Sequence, residues 1–177
     1  QFLFSKDVAL TAEKLGFDAG YVYDHFVSHP SNNRSETLFE AYTILSAISA
    51  VTSKLRIGQI VTSNSFRHPP LLAKMTSTLD AISNGRLEFG IGAGWFGYEY
   101  NSYGYKFDDL ETRVEQLDES LTIIKKMWQN QKSSFKGKHY SIKNAICNPK
   151  PVQKPHPPIM VGGAGKKLMK VAARHAT

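Results

Sequence analysis

The sequence predicts an α/β fold built on a parallel sheet, and three observations lead there. Short apolar runs rich in β-formers alternate with helical periodicities along the whole chain. Two of those runs, "LRIGQIVTS" and "RLEFGIG", are nearly all apolar, as strands covered on both faces are. Two runs end in glycine clusters, "GIGAG" and "VGGAG", where a strand gives way to a loop. Alternating β and α units joined in this way give parallel strands with right-handed crossovers.

The first helix is expected over residues 4 to 15, with Gly16 as its C-terminal cap. "AGYVYDHF" reads as a short strand and "SHPSNNRS" as a loop. Thr37 and Glu40 have capping-box spacing for a helix running to about Ser53, with Leu38, Ala41, Leu45 and Ile48 on its core side. "LRIGQIVTS" comes next as one buried strand, then a helix from about Pro70, where proline is tolerated, to Ile82. Asn84-Gly85 turns the chain into "RLEFGIG". After it come Trp95, Phe96, Tyr98, Tyr100, Tyr103 and Tyr105, an aromatic tract in which Gly104 argues against a helix.

Asp108 and Glu111 are spaced to cap the longest helix, whose Leu110, Val114, Leu117, Leu121, Ile124 and Trp128 recur every three or four residues. "NPKPVQKPHPP" is forced into an extended path by its prolines. It delivers the last strand, "IMVGGAG", and "KKLMKVAARHA" closes the chain as a helix. Four strands are counted, preceded by a helix. The residues alone leave two closures open, an open doubly wound sheet or part of a (β/α)8 barrel.

A chain of 177 residues, 41% hydrophobic and 21% charged, suffices for one domain with a real core. No apolar run is long enough to span a bilayer and none resembles a secretory signal. Cys147 is the only cysteine, so no internal disulfide can form; a reducing, cytoplasmic location is expected. The net charge of +7 suits an acidic partner. Its lysines and arginines are scattered or sit near helix ends, which argues for solvated faces or an anionic cofactor rather than nucleic acid.

Gly92-Ala93-Gly94-Trp95-Phe96-Gly97 spells the dinucleotide fingerprint G-x-G-x-x-G. The fingerprint needs a helix of small residues packed at once against the strand, and the aromatic tract is too bulky for that. The glycines fit either a close backbone approach to a ligand or a plain turn. Gly162-Gly163-Ala164-Gly165, followed by a helix, has the makings of an anion site; Met160 and Lys167 stand where a Walker A loop needs Gly and Ser or Thr.

Asp24 and His25 fall at the end of the first strand, where His25 can move a proton and Asp24 can bond a ligand or fix the imidazole; a plain structural pair is the alternative. His29 lies four residues after His25, but Pro30 spoils helical metal spacing, so no metal site is expected. Arg67 is suited to pairing with a carboxylate, His68 to capping a helix, and Glu99 to acid catalysis or a loop hydrogen bond.

In order, these pieces resemble the bacterial luciferase-like superfamily of flavin- and deazaflavin-dependent oxidoreductases. The resemblance runs through "LGFDAGYVYDHF", the block from "LRIGQIVTSNSFRHPP" to "SNGRLEFGIGAGWFGYEYNSYG", and "PVQKPHPPIMVGGAG". It implies a (β/α)8 barrel, of which residues 1–177 would be a single partial domain carrying strands 2 to 5 without the first strand or the last three.

The cofactor would lie at the carboxyl ends of the strands, with Asp24 and His25 beside its redox ring and His25 catalytic. Ile60 and Val61 match a non-proline cis peptide behind the ring. Gly92, Ala93, Gly94 and Trp95, with Gly162, Gly163, Ala164 and Gly165, match loops holding the ring and its phosphate-bearing tail. The "DHF" element favours a deazaflavin coenzyme of the F-420 type, with FMN as the alternative. The implied activity is hydride transfer between reduced cofactor and a small organic substrate. An FMN monooxygenase and a non-catalytic remnant are the rivals, and a homo-oligomer is expected because unpaired strand edges invite association.

Overall fold

The structure, a computed structural model, describes residues 1–28 and 37–177, so the predicted loop from His29 onward lies outside the described residues. Helix α1 (Phe2–Lys14) leads to strand β1 (Ala19–Val22), then α2 (Ala41–Val51), β2 (Arg56–Gln59), β3 (Thr62–Ser63) and α3 (Pro69–Ile82). The second part runs β4 (Leu87–Gly92), α4 (Gly97–Tyr103), α5 (Leu110–Gln129), β5 (Ser133–Lys136), β6 (Ser141–Ala145), β7 (Ile159–Gly162) and α6 (Lys166–His175).

The topology separates the two closures that the residues left open. Strands β1, β2, β4 and β7 are parallel neighbours in chain order, with β3 continuing the path of β2 alongside β4. A doubly wound sheet reverses its strand order at a switch point. Here each strand adds on the same side as the last, which is how a barrel wall grows.

Strand parity sets the two faces. Leu87, Phe89 and Ile91 of β4 point into the core with Leu72, Leu79, Leu117, Leu121, Ile124 and Trp128 of α3 and α5. The Trp128 indole donates to the Ala73 carbonyl at 3.1 Å, so even this buried ring has its polar atom satisfied. Glu88, between them in sequence, bonds Tyr21 of β1 and Arg56 of β2 on the inner face of the arc. Burial and the bond to Glu88 push the Tyr21 hydroxyl up to about 12.

The amino ends of the strands are tied by charged side chains acting on main chain. Arg86, directly before β4, donates five hydrogen bonds, to Ser83 O, Leu55 O, Ser49 O, Thr52 O and the Thr52 hydroxyl. Asp80, fully buried, accepts from the main chain and the amide of Gln153 in the proline-rich crossover. Glu13 of α1 accepts the N–H groups of Ser53, Lys54 and Leu55, which hold its carboxyl at about 2.

Several elements differ from expectation, each for a local reason. β1 stops at Val22 instead of running to Phe26. The predicted strand over residues 55–63 is two short strands, broken by a cis peptide between Ile60 and Val61. Glu40 itself caps α2 by accepting from Tyr42 and Thr43, so Thr37 lies outside the helix. Asp109 caps α5, one residue beyond Asp108, which pairs with Lys106 and Gln116 instead. Two adjacent aspartates offer the same chemistry, and sequence spacing does not separate them.

The aromatic tract does form a helix, α4, and Gly104 with φ of 73° is its C-cap rather than an interior breaker. The β5–β6 hairpin was not expected. Glu119 of α5 accepts the N–H groups of Lys138, His139 and Tyr140 at its turn, a contact that supplies what the polar hairpin sequence lacks.

Candidate active site

The carboxyl ends of the strands enclose a cavity of about 410 Å³, within the range of roughly 300–1,000 Å³ common for small-molecule sites. Its lining includes Asp24 and His25 after β1, Ile60 and Val61 after β2, Gly92 to Trp95 after β4, and Gly162 to Ala164 after β7. Four loops far apart in the chain thus converge at one mouth. Of the predicted site residues only Gly165 does not line it; Gly165 is the N-cap of α6, with φ of 102°.

Because β1 ends at Val22, Asp24 and His25 escape strand alternation and both reach the cavity. They do different work. Asp24 is buried, its carboxylate bound by both terminal nitrogens of Arg67 at 2.6 and 2.9 Å and by the Ser63 N–H at 3.0 Å. Arg67 also pairs with Glu40 and lies over the Tyr42 ring at 4.7 Å. Burial alone would lower the Arg67 guanidinium, but the bonds to Asp24 and Glu40 raise it above its ordinary value. The pairing expected of Arg67 is therefore present, and it consumes Asp24.

The alternative in which Asp24 fixes the imidazole is replaced by another carboxylate. His25 Nδ1 lies 2.7 Å from Oε2 of Glu99, a residue of α4 with only 1% of its surface exposed. The other Glu99 oxygen accepts the N–H groups of Phe26 at 2.6 Å and Val27 at 3.2 Å. One buried carboxylate thereby fixes both the imidazole and the main chain that carries it. Tyr23, Trp95 and Phe96 surround the ring with centroids at 5.7, 5.8 and 6.0 Å.

The glycines line the cavity, and two of them also make room for a neighbouring side chain. A Cβ on Gly92 would stand 2.9 Å from a Val61 methyl, and one on Gly162 would stand 2.7 Å from the other. These two glycines make room for Val61, the second residue of the cis peptide. Gly94 has φ of 76°, and a Cβ there would fall on the Tyr100 hydroxyl. The glycine-lined wall is therefore filled from behind, with Ile60 half exposed beside it.

Sequence reasoning passed over Arg113. Its guanidinium donates to the carbonyls of Gly94 and Ala93, its Nε donates to Asp108 O, and it lies 4.3 Å over the Phe107 ring, so α5 pins the Gly92–Gly94 loop. Its placement at a core-facing helical position, next to Val114, was the one signal that pointed to it. His68 makes no side-chain cap at α3; its ring meets Tyr140 edge-on. Among the described residues no cluster of His, Cys, Asp and Glu is arranged to hold a metal, and no helix is long and apolar enough to cross a membrane.

A parallel arc with a cavity at the carboxyl ends of its strands is the architecture of part of a (β/α) barrel. Residues 4–177 match the family model for luciferase-like monooxygenases, and the chain is a member of that family. Among curated relatives, it is 31% identical to an F420-dependent glucose-6-phosphate dehydrogenase from Microbacterium testaceum, over 96% of this chain and 49% of that protein. It is 28% identical to an FMNH(2)-dependent dimethylsulfone monooxygenase from Pseudomonas putida, over 97% of this chain and 46% of that one. The solved structure of an F420-dependent secondary alcohol dehydrogenase in complex with an F420-acetone adduct superposes with a TM-score of 0.87 at 26% identity, covering 99% of this chain and 52% of that chain. The chain spans about half the length of the curated relatives it matches.

Proposed function

We propose that this chain carries the cofactor-facing half of an oxidoreductase in which a hydride passes between a reduced deazaflavin and a small organic substrate. The observation that carries the reading is His25 on the cavity wall, held through Nδ1 by the buried Glu99 and sharing that cavity with the Ile60–Val61 turn. A redox cofactor supplies the hydride chemistry; the protein supplies binding, orientation and proton management.

The residues present fit such a group. Ile60, Val61, Gly92, Ala93, Gly94 and Trp95 would hold a planar ring on a wall of main chain and apolar side chains. Gly162, Gly163 and Ala164, with Gly165 at the start of α6, would hold an anionic tail near a helix N-terminus. Asp24 and Arg67 keep Ser63 and the turn behind the ring in place. His25 would give or take the proton that accompanies hydride transfer, a role usually contributing about 10²–10⁴-fold.

The deazaflavin is placed ahead of FMN on the "DHF" element and on the net charge of +7, which suits an anionic coenzyme. FMN, as in the FMNH(2)-dependent relative, is the second reading, with oxygen as co-substrate. The proposal includes a cytoplasmic location, on the strength of a single cysteine, and self-association, supported by the exposed apolar residues Leu3, Phe4 and Val8 of α1.

The test is to titrate the purified full-length protein separately with oxidised deazaflavin coenzyme and with FMN, following cofactor fluorescence. Saturable quenching by the deazaflavin alone is expected. Saturation by FMN alone would move the assignment to the monooxygenase reading. A folded protein that binds neither would leave the non-catalytic remnant standing.

A further inference from the structure

We infer that Glu99 is a positioning residue that fixes the His25 tautomer, keeping a proton on Nδ1 and leaving Nε2 as the only atom of the ring that gives or takes one. This inference rests on the reading of His25 as the proton-moving group and adds to it which atom acts and what selects that atom.

The geometry begins with the acceptor. Glu99 is buried, and its Oε1 receives two main-chain N–H groups, from Phe26 at 2.6 Å and Val27 at 3.2 Å. A carboxylate in that position only accepts. Its second oxygen, 2.7 Å from His25 Nδ1, therefore accepts as well, and the proton of that bond belongs to the imidazole. The same holds whether the ring is neutral or cationic, because Nδ1–H is common to both forms and only Nε2 changes.

Among the described residues Nε2 has no rival partner. The rings packed about His25 are Tyr23, Trp95 and Phe96, and among the described residues no hydrogen bond to Nε2 is formed. His25 is a quarter exposed and lines the cavity, so a ligand there has access to the ring. The unrelated Ser-His-Asp triads use the same logic, where a buried carboxylate orients the imidazole and selects its tautomer.

The substitution Glu99→Gln isolates the effect. The amide is the same size, and its oxygen can keep the two main-chain bonds to Phe26 and Val27. Its NH₂ then points at His25 Nδ1, which must become the acceptor, so the ring proton moves to Nε2. Shape is kept and the tautomer is reversed.

The experiment records long-range ¹H–¹⁵N correlations of ¹⁵N-histidine-labelled, cofactor-free full-length protein, with His25 assigned by its loss in His25→Gln. The parent is expected to show a protonated Nδ1 and a bare Nε2 at alkaline pH, and Glu99→Gln the reverse. A parent with the proton on Nε2, or a Glu99→Gln spectrum with Nδ1 still protonated, overturns the inference. Steady-state kinetics form the second arm. Glu99→Gln is expected to lower kcat by about 10²-fold or more while KM for substrate and cofactor changes little. Reversed tautomers with unchanged kcat would overturn the claim that the choice of nitrogen matters. The spectra need no cofactor, so failure of both cofactors to bind would remove the oxidoreductase reading without touching the tautomer result.

Discussion

At the amino ends of the strands, Arg86, Asp80 and Glu13 are spent on the protein itself. Arg86 gives five bonds to the end of α2 and the loops before β2 and β4, Asp80 holds Gln153, and Glu13 caps three consecutive N–H groups. At the carboxyl ends, similar groups are locked around the wall of the cavity. Arg67 consumes Asp24, Arg113 pins Gly94, and Glu99 holds one side of His25 while the ring still lines the cavity. Charged side chains thus tie main chain together at one end and, on the reading proposed above, preorganise a site at the other, the division of labour seen between the two faces of (β/α) barrels.

The comparison can be broken or sharpened by substitution. The largest effect is expected for His25→Asn, whose amide can keep a donor to Glu99 Oε2 and which should slow turnover about 10²–10⁴-fold while leaving the thermal midpoint and cofactor affinity nearly unchanged. Parallel losses of stability and turnover would erase the distinction between the ends. Arg86→Ala should do the opposite, costing about 3 kcal/mol in urea unfolding because main-chain acceptors at Ser49, Thr52 and Leu55 lose their donor. Cofactor affinity of the folded fraction should not move.

Gly94→Ala comes next. Its Cβ would meet the Tyr100 hydroxyl at a positive φ, so about 2 kcal/mol of destabilisation is expected. Pairing it with Tyr100→Phe should restore part of that loss, and strict additivity in the double mutant would contradict the contact. Glu13→Gln should have the smallest effect, and one that depends on pH. Its folded-state value is depressed from 4.5 to about 2, so its contribution is complete above the ordinary carboxylate value and is lost as pH falls from there towards 2. The gap in urea midpoint between parent and variant should therefore close over that window, and a gap that widens on acidification would contradict the assignment.

Legibility in the sequence divides along the same line. The alternation of apolar runs located the strands, and Asn84-Gly85 takes the positive φ values, 54° and 80°, that its turn requires. The candidate residues after four strands share one cavity because strand ends, not sequence spacing, bring them together. The cis peptide at Ile60–Val61 was reached through resemblance alone. Glu99 as the partner of His25 was not legible, since 74 positions separate them and only the assembly of the parallel sheet closes the distance. The reason for Gly92 and Gly162 was also hidden, because it lies in the methyl groups of Val61, far away in the chain. The hairpin at β5–β6 depends on Glu119 from a helix, a contact that no local pattern announces.

The most direct test of the central claim is a crystal structure of the full-length protein with the deazaflavin bound. The ring is predicted to lie against the Ile60–Val61 turn and the Gly92–Gly94 loop, with His25 Nε2 facing the reacting side. A ring found away from both, or a His25 that meets the ligand through Nδ1 with Glu99 displaced, would contradict it.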